Sequence, residues 1–274
     1  MEPVAVWVDA FTEAPFAGNP AVVVLLDRAR EDAWMGSLAR EMGVSETAFV
    51  APRGDGRGRD PAFDLRWFTP EVEVDLCGHA TLASAHVLWE EGRVAPGARI
   101  RFHTRSELLA AAQQGPWIEL DFPAATAVAE PAPEGLAGAL GAVPRWTGRG
   151  SVGDWLVELD DERTVRELTP DMAGLSRMPA RGICVTARAD DSGYDFVSRF
   201  FAPAVGIAED PVTGSAHCML APYWSERLGR EELVGFQASA RGGIVRVRCA
   251  GERVVLGGRA VTVLRGELRV KEET

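Results

Sequence analysis

The stretch Asp75-Leu76-Cys77-Gly78-His79-Ala80-Thr81-Leu82-Ala83-Ser84-Ala85-His86-Val87-Leu88-Trp89 decides the fold. From Leu76 to Trp89 it contains no aspartate, glutamate, lysine or arginine, and after the Cys77-Gly78 turn it is built largely from good helix formers. A helix that is apolar or small all round must be buried on every side. At roughly a dozen residues it is too short to span a bilayer, so it belongs in the core of a soluble domain. Its polar residues stand at the first turn, where unpaired backbone N–H groups and the helix dipole favour an anion.

The chain then repeats the device. Asp210-Pro211-Val212-Thr213-Gly214-Ser215-Ala216-His217-Cys218-Met219-Leu220-Ala221-Pro222-Tyr223-Trp224 is again free of formal charge after its first residue. Gly78-His79-Ala80 aligns with Gly214-Ser215-Ala216. Upstream, Arg66-Trp67-Phe68-Thr69-Pro70 aligns with Arg199-Phe200-Phe201-Ala202-Pro203, with three extra residues in the second copy. A repeat covering about half the chain points to two similar domains rather than a solenoid. The expected fold class is α+β, with two pseudo-symmetric domains, residues 1–123 and 124–274, each wrapping strands around one buried helix. The last strand is free to cross back to the first domain. If the halves face each other, both helix N-termini point into one cleft suited to a small carboxylate. Two core helices with glycine turns and no ligand are the alternative that the repeat alone leaves open.

The 274 residues suffice for two ordinary cores, and the hydrophobic (46%) and charged (25%) fractions are those of a globular protein. A net charge of −11 argues against nucleic acid or an anionic membrane as the main partner. The N-terminal residues do not read as a signal peptide, and Cys77, Cys184, Cys218 and Cys249 show no pairing pattern, so free thiols in the cytoplasm are expected. Lys271 is the sole lysine, which disfavours Schiff-base and P-loop chemistry. Proton transfer then falls to carboxylates, histidines or thiols.

In chain order, Val4 to Phe11 and Ala21 to Leu26 read as two strands joined through Gly18-Asn19. Arg30 to Met42 reads as an amphipathic helix capped by Gly43. Val44 to Val50 is a strand whose alternation puts Glu46 on one face with Val44, Ala48 and Val50. A carboxylate among aliphatic neighbours loses hydration and should have a raised pKa, as a proton-transfer group near neutrality needs. The competing reading is an edge strand with Glu46 in water. Arg53 to Pro61 reads as a solvated loop, Ala62 to Phe68 as a strand, and Ile100 to Phe122 as at least two strands that turn near Ala110 to Gln114. Pro133 to Leu140 suits a short helix. Trp155 to Leu159 is a strand, Arg163 to Leu175 a helix interrupted near Pro170, and Gly182 to Ala187 the counterpart of the Glu46 strand, where Ile183, Cys184 and Val185 supply no acid. Four short strands follow between Gly235 and Arg265, and Gly266 to Val270 offers a last one.

No zinc-ligand spacing joins Cys77 to His79 or His217 to Cys218, so no metal is expected, and no dinucleotide-binding glycine fingerprint opens a helix. Ser215 lacks the strained elbow of serine hydrolases, which leaves it helix capping and substrate hydrogen bonding. Proton transfer at a carbon acid needs a base of tuned pKa, donors for an enolate and a dry site, and Glu46, His79, Asp210, Ser215 and the two helix starts answer that description.

Val8-Asp9-Ala10-Phe11, Phe16-Ala17-Gly18-Asn19-Pro20-Ala21-Val22, Ser45-Glu46-Thr47-Ala48-Phe49, Arg66 to Pro70 with Asp75 to Thr81, and Asp210 to Ala216 together closely resemble the phenazine biosynthesis PhzF-like isomerase family, in order and over nearly the whole chain. The resemblance implies a diaminopimelate-epimerase-like fold and a cofactor-free isomerase that commonly dimerises. It implies Glu46 as the acid/base, with His79 and Asp210 as further catalytic residues. Gly18, Asn19, Gly78, Ala80, Thr213, Gly214 and Ser215 are the expected substrate-binding positions. The expected partners are a small carboxylate substrate and a second copy of the chain. The related racemases use two opposed thiols. Cys77 matches the first, but the second half shows Pro211 at the corresponding place, so a thiol-dependent epimerase is the lesser reading. A non-catalytic binding scaffold is the rival of a different class. His86, His103 and His217 read as structural.

Overall fold

The computed structural model describes residues 3–54, 61–106, 108–151, 153–190 and 193–270. Most of the loop expected at 53–61 (residues 55–60) and Lys271 lie outside them. The chain divides into two compact units, Met1–Asp121 with Gly257–Thr274, and Phe122–Leu256. The first unit carries β1 (Val4–Ala10), β2 (Asn19–Leu25), α1 (Asp32–Met42), β3 (Glu46–Pro52), β4 (Ala62–Phe68), β5 (Glu73–Val74), α2 (Gly78–Glu90), β6 (Ile100–His103), β7 (Leu108–Gln114) and β8 (Trp117–Pro123). The second carries β9 (Ala127–Ala129), α3 (Leu136–Leu140), β10 (Trp146–Gly150), β11 (Trp155–Glu158), α4 (Glu162–Glu167), α5 (Met172–Ser176), β12 (Ile183–Arg188), β13 (Phe196–Ala202), β14 (Ile207–Asp210), α6 (Gly214–Leu228), β15 (Glu232–Gln237), β16 (Gly243–Ala250) and β17 (Arg253–Gly258). The closing strand β18 (Ala260–Glu267) pairs antiparallel with β1.

Strands of the first unit hydrogen-bond in the order β18-β1-β2-β3-β4-β6-β7-β8, with β2–β3 and β4–β6 parallel and the other neighbours antiparallel. β3 therefore lies between β2 and β4, and the edge-strand reading of Glu46 does not hold. Val22, Val24, Phe49 and Ala51 face outward onto Met35, Leu38 and Ala39 of α1. Val44 joins that same cluster, although strict alternation put it with Glu46, because Val44 and Ser45 precede the strand. Alternation holds from Glu46 onward and turns Glu46, Ala48 and Val50 to the inner face. α1 ends where Gly43 enters the left-handed region at φ 65° and its N–H caps the Ala39 carbonyl.

The inner face wraps α2, of which ten residues from His79 to Trp89 are buried. Thr81 Oγ1 and Ser84 Oγ donate to the carbonyls of Cys77 and Ala80 at 2.6 and 2.7 Å, so their hydroxyls are satisfied within the helix. Close packing sets the next constraint: a Cβ built on Gly258 would lie 2.6 Å from Leu82 Cδ1. Burying a side chain such as Leu82 stabilises by about 1.5–3 kcal/mol, and Leu82→Ala would cost about 2–5 kcal/mol once the cavity is included.

The second unit repeats the pattern as β9-β10-β11-β12-β13-β15-β16, with β11–β12 and β13–β15 parallel and the others antiparallel. Nine residues of α6 are buried. The segment interrupted near Pro170 is two short helices, α4 and α5. The former starts at Asp161, whose side chain accepts from Thr164 N. Ala110 to Gln114 ends β7 beside the turn at Gly115, at φ 60°, as expected, whereas Gly266 to Val270 is no separate strand, since β18 runs through to Glu267. No helix among the described residues is long and apolar enough to cross a membrane.

Candidate active site

β3 and α2 bring three sequence-expected residues of the first unit together. Glu46 opens β3, Cys77 is the N-cap of α2 and His79 is its second residue. Glu46 Oε2 lies 3.2 Å from His79 Nε2, with side-chain exposures of 14% and 6%. The contact is close but poorly aligned, and that carboxylate oxygen is buried without a directed hydrogen bond. Burial alone would raise the Glu46 pKa, as its sequence setting suggests. The hydrogen bond and charge of His79, with a smaller contribution from Ser45, outweigh it and hold the carboxyl below its ordinary value. This corrects the expectation of a raised pKa: the pattern showed the aliphatic neighbours but not the imidazole. Burial opposes protonation of His79 too, yet Cys77 and Glu46 raise it well above the usual histidine range. Burial pushes the Cys77 thiol up, against the opposing charge of His79.

Glu46, Cys77 and His79 offer ligand atoms within 4.8 Å of one another. Cys77 Sγ lies 3.5 Å from His79 Nδ1 and 4.0 Å from Nε2, alongside the ring rather than beyond either nitrogen.

Asn19 and Ala21 share the inner face with Glu46, because Ala21 is the β2 partner of Glu46 in the parallel register. Asn19 is wholly buried. The loop before it is fixed by Asp9, whose Oδ2 accepts from Phe16 N at 2.7 Å, and by Gly18, where a Cβ would strike the Ala10 carbonyl at 2.1 Å. The first i→i−4 bond of α2 is made by Thr81 N, so the N–H groups of Gly78, His79 and Ala80 belong to the open end of the helix.

In the second unit the structure gathers Asp210, Thr213, Gly214 and Ser215. Thr213 Oγ1 donates to Asp210 Oδ2 at 2.5 Å, and buried Gln237 ties both down: its Oε1 accepts from Thr213 N at 2.9 Å and its Nε2 donates to the Asp210 carbonyl at 2.7 Å. Gln237 gave no signal in the sequence, since it lies a strand away. Thr213, not Ser215, is the N-cap of α6, and it makes no side-chain cap bond. The capping role expected of Ser215 is therefore absent; its Oγ accepts from Arg181 Nη2 at 3.0 Å. By the same comparison of N-caps, the counterpart of Cys77 is Thr213 rather than Pro211.

An arginine–glutamate clamp precedes each helix. Arg66 donates through Nε and Nη2 to Glu73, both at 2.7 Å, and Arg199 does the same to Glu209 at 2.7 and 3.0 Å. These bidentate pairs orient the segments that lead to Cys77 and to Asp210. His217 Nδ1 bonds the Thr213 carbonyl at 2.8 Å, the role that Thr81 plays in α2. His86 lies against Thr262 Oγ1 at 3.1 Å.

Comparison with known proteins places the chain in a family. The profile described as phenazine biosynthesis-like protein, PhzC-PhzF, matches residues 8–266. A protein of Halalkalibacterium halodurans described as an uncharacterized isomerase is 50% identical, over 95% of this chain and 96% of that one. A crystal structure of a phenazine biosynthesis protein of the PhzF family from Enterococcus faecalis superposes with a TM-score of 0.92 at 40% identity, over 98% of this chain and all of that one. A probable proline racemase from Agrobacterium radiobacter superposes at a TM-score of 0.65 with 11% identity, covering 98% of this chain and 93% of the other, and shares the fold alone. The fold is thus the α+β, epimerase-like one expected.

Proposed function

The chain belongs to the phenazine biosynthesis-like PhzC-PhzF family and is an isomerase, and from that premise we propose that it moves a proton within a small carboxylate-bearing carbon acid, without a cofactor, using Glu46 as the acid/base. The observation that carries this reading is the buried Glu46–His79 contact of 3.2 Å, with one carboxylate oxygen left without a directed hydrogen bond. Glu46 Oε2 faces His79, so Oε1 is the oxygen that accepts the proton from a substrate C–H. The C–H electron pair passes into an enolate or dienolate, and Glu46 returns the proton to another carbon, so the product is an isomer and no electrons are lost. His79, as an imidazolium, stabilises the carboxylate and then the developing charge. Because the ion pair keeps Glu46 a weak base, the substrate must bring an acidified C–H, beside unsaturation or a carbonyl-type group. Asp210, with the Gly18-Asn19, Gly78 to Ala80 and Thr213 to Ser215 segments, completes the proposed substrate contacts, and a homodimer is part of the same reading.

The test is incubation in D₂O with cyclohexadiene carboxylates, hydroxyanthranilate-like compounds and amino acids, followed by mass spectrometry beside the Glu46→Gln variant. Uptake into one compound that falls about 10²–10⁴-fold in the variant is the expected result. Full uptake with Glu46→Gln would remove Glu46 as the base.

A further inference from the structure

In the second unit the position of Glu46 holds no side chain, and a cation stands one residue before it. β3 pairs Phe49 with Arg66 and β12 pairs Val185 with Arg199. Because the segments around Arg66 and Arg199 correspond, Phe49 corresponds to Val185, and counting back three residues sets Glu46 against Gly182. The neighbouring position, Ser45 in the first unit, is Arg181 in the second. In each copy a side chain from the start of this strand reaches the second residue of the buried helix: Glu46 reaches His79, and Arg181 reaches Ser215.

Arg181 is held on three sides. Its Nε donates to Asp154 Oδ1 at 3.0 Å, and its Nη2 pairs with Asp154 Oδ2 and donates to Ser215 Oγ at 3.0 Å. Asp154 is wholly buried, so the fork has a fixed partner in a place water does not reach. The guanidinium also stands over the Phe200 ring at 5.6 Å. Gly182 leaves room for that ring, since a Cβ there would lie 2.2 Å from Phe200 Cζ. Nη1 has no partner among the described residues, and 45% of the side chain is exposed. Asp154 and Ser215 engage Nε and Nη2, which leaves Nη1 as the unengaged edge of the fork. With Arg181 donating to its oxygen, the Ser215 hydroxyl proton is free to point the same way.

We propose that Arg181 is a specificity-determining residue that binds the carboxylate of a small ligand through its free Nη1 edge, together with the Ser215 hydroxyl, with Asp154 and Phe200 as its positioning residues. Naming that ligand as the substrate rests on the proposed function, but the anion preference does not.

The test is binding, measured by NMR titration with 2-aminobenzoate and its neutral isostere 2-aminobenzamide. The wild-type protein should favour the acid at least tenfold. Arg181→Met should bring the two within about twofold, while Glu46→Gln keeps the preference. Arg181→Lys retains the charge that neutralises Asp154, so it is the variant to read if the methionine protein does not fold; it should lose at least fivefold of the preference for want of the planar fork. An unchanged preference in a folded Arg181 variant, or no preference in the wild type, overturns the proposal. Preserved acid preference with no deuterium uptake would overturn the Glu46 reading alone, and uptake with an indifferent Arg181→Met would overturn this one alone.

Discussion

Glu46 and Gly182 occupy the same register position in two copies of one fold unit, one bearing a carboxylate and the other no side chain. The copies have kept the parallel pairing of the preceding strand, the arginine–glutamate clamp and the buried helix. The side chains at the helix starts differ: Glu46 and Cys77 in one copy, Gly182 and Thr213 in the other. An epimerase with two equivalent bases would need the second copy to supply one, and Gly182 and Thr213 supply neither acid nor thiol.

His79→Asn should move the acid limb of the pH–rate profile upward. In the native site His79 outweighs burial and holds the Glu46 carboxyl low. Without the imidazolium the desolvation remains unopposed, so the carboxylate protonates at higher pH and activity is lost sooner on acidification. Deuterium exchange rates between pH 4 and pH 8 would show it. An unmoved acid limb would mean that His79 does not set the charge of Glu46.

The fold should lose stability on mild acidification through His217. This ring is wholly buried, and desolvation depresses its pKa from 6.5 to about 4 despite the bond to the Thr213 carbonyl. In the unfolded chain the same histidine takes up a proton below its ordinary value. Its contribution is therefore complete above pH 6.5 and is lost as the pH falls toward about 4, in all on the order of 3 kcal/mol. Urea unfolding at pH 7, 5.5 and 4.5 should show a steeper decline for the wild type than for His217→Gln.

Cys77→Ser should retain turnover to within about tenfold. Burial keeps the thiol neutral and its sulfur rests beside the His79 ring, so it shapes the acid/base pair without carrying the proton. Loss of all exchange in Cys77→Ser, with Glu46→Gln still active, would favour thiol chemistry instead.

Gly18→Ala should destabilise by about 2 kcal/mol or more. The residue sits at φ 64°, and an added Cβ would lie 2.1 Å from the Ala10 carbonyl, in backbone that cannot step aside without disturbing the β1–β2 register. Because Asn19 follows directly, ligand affinity should fall with stability. Denaturant melts together with the binding titration would detect both effects.

The two uncharged helices, the duplication, the amphipathic α1 with its Gly43 cap and the strand carrying Glu46 were legible in the chain because each is a local property: composition, period and glycine placement act within a few residues. The same locality explains the failures. Alternation extended two residues past the true strand start puts Val44 on the inner face, and the local motif suggests a cap at Ser215 that its position in the helix does not allow.

The sequence by itself determined that two buried helices would follow the Asp75 and Asp210 segments and that one copy would carry an acid that the other lacks. Only the tertiary structure decided the charge states and partners. The Glu46–His79 contact links residues 33 positions apart, Arg181 and Asp154 are separated by 27, and Gln237 reaches Thr213 across 24. Whether a buried carboxylate is raised by desolvation or lowered by an imidazolium depends on a few ångströms of approach, a distance that packing sets and that no local pattern of residues encodes.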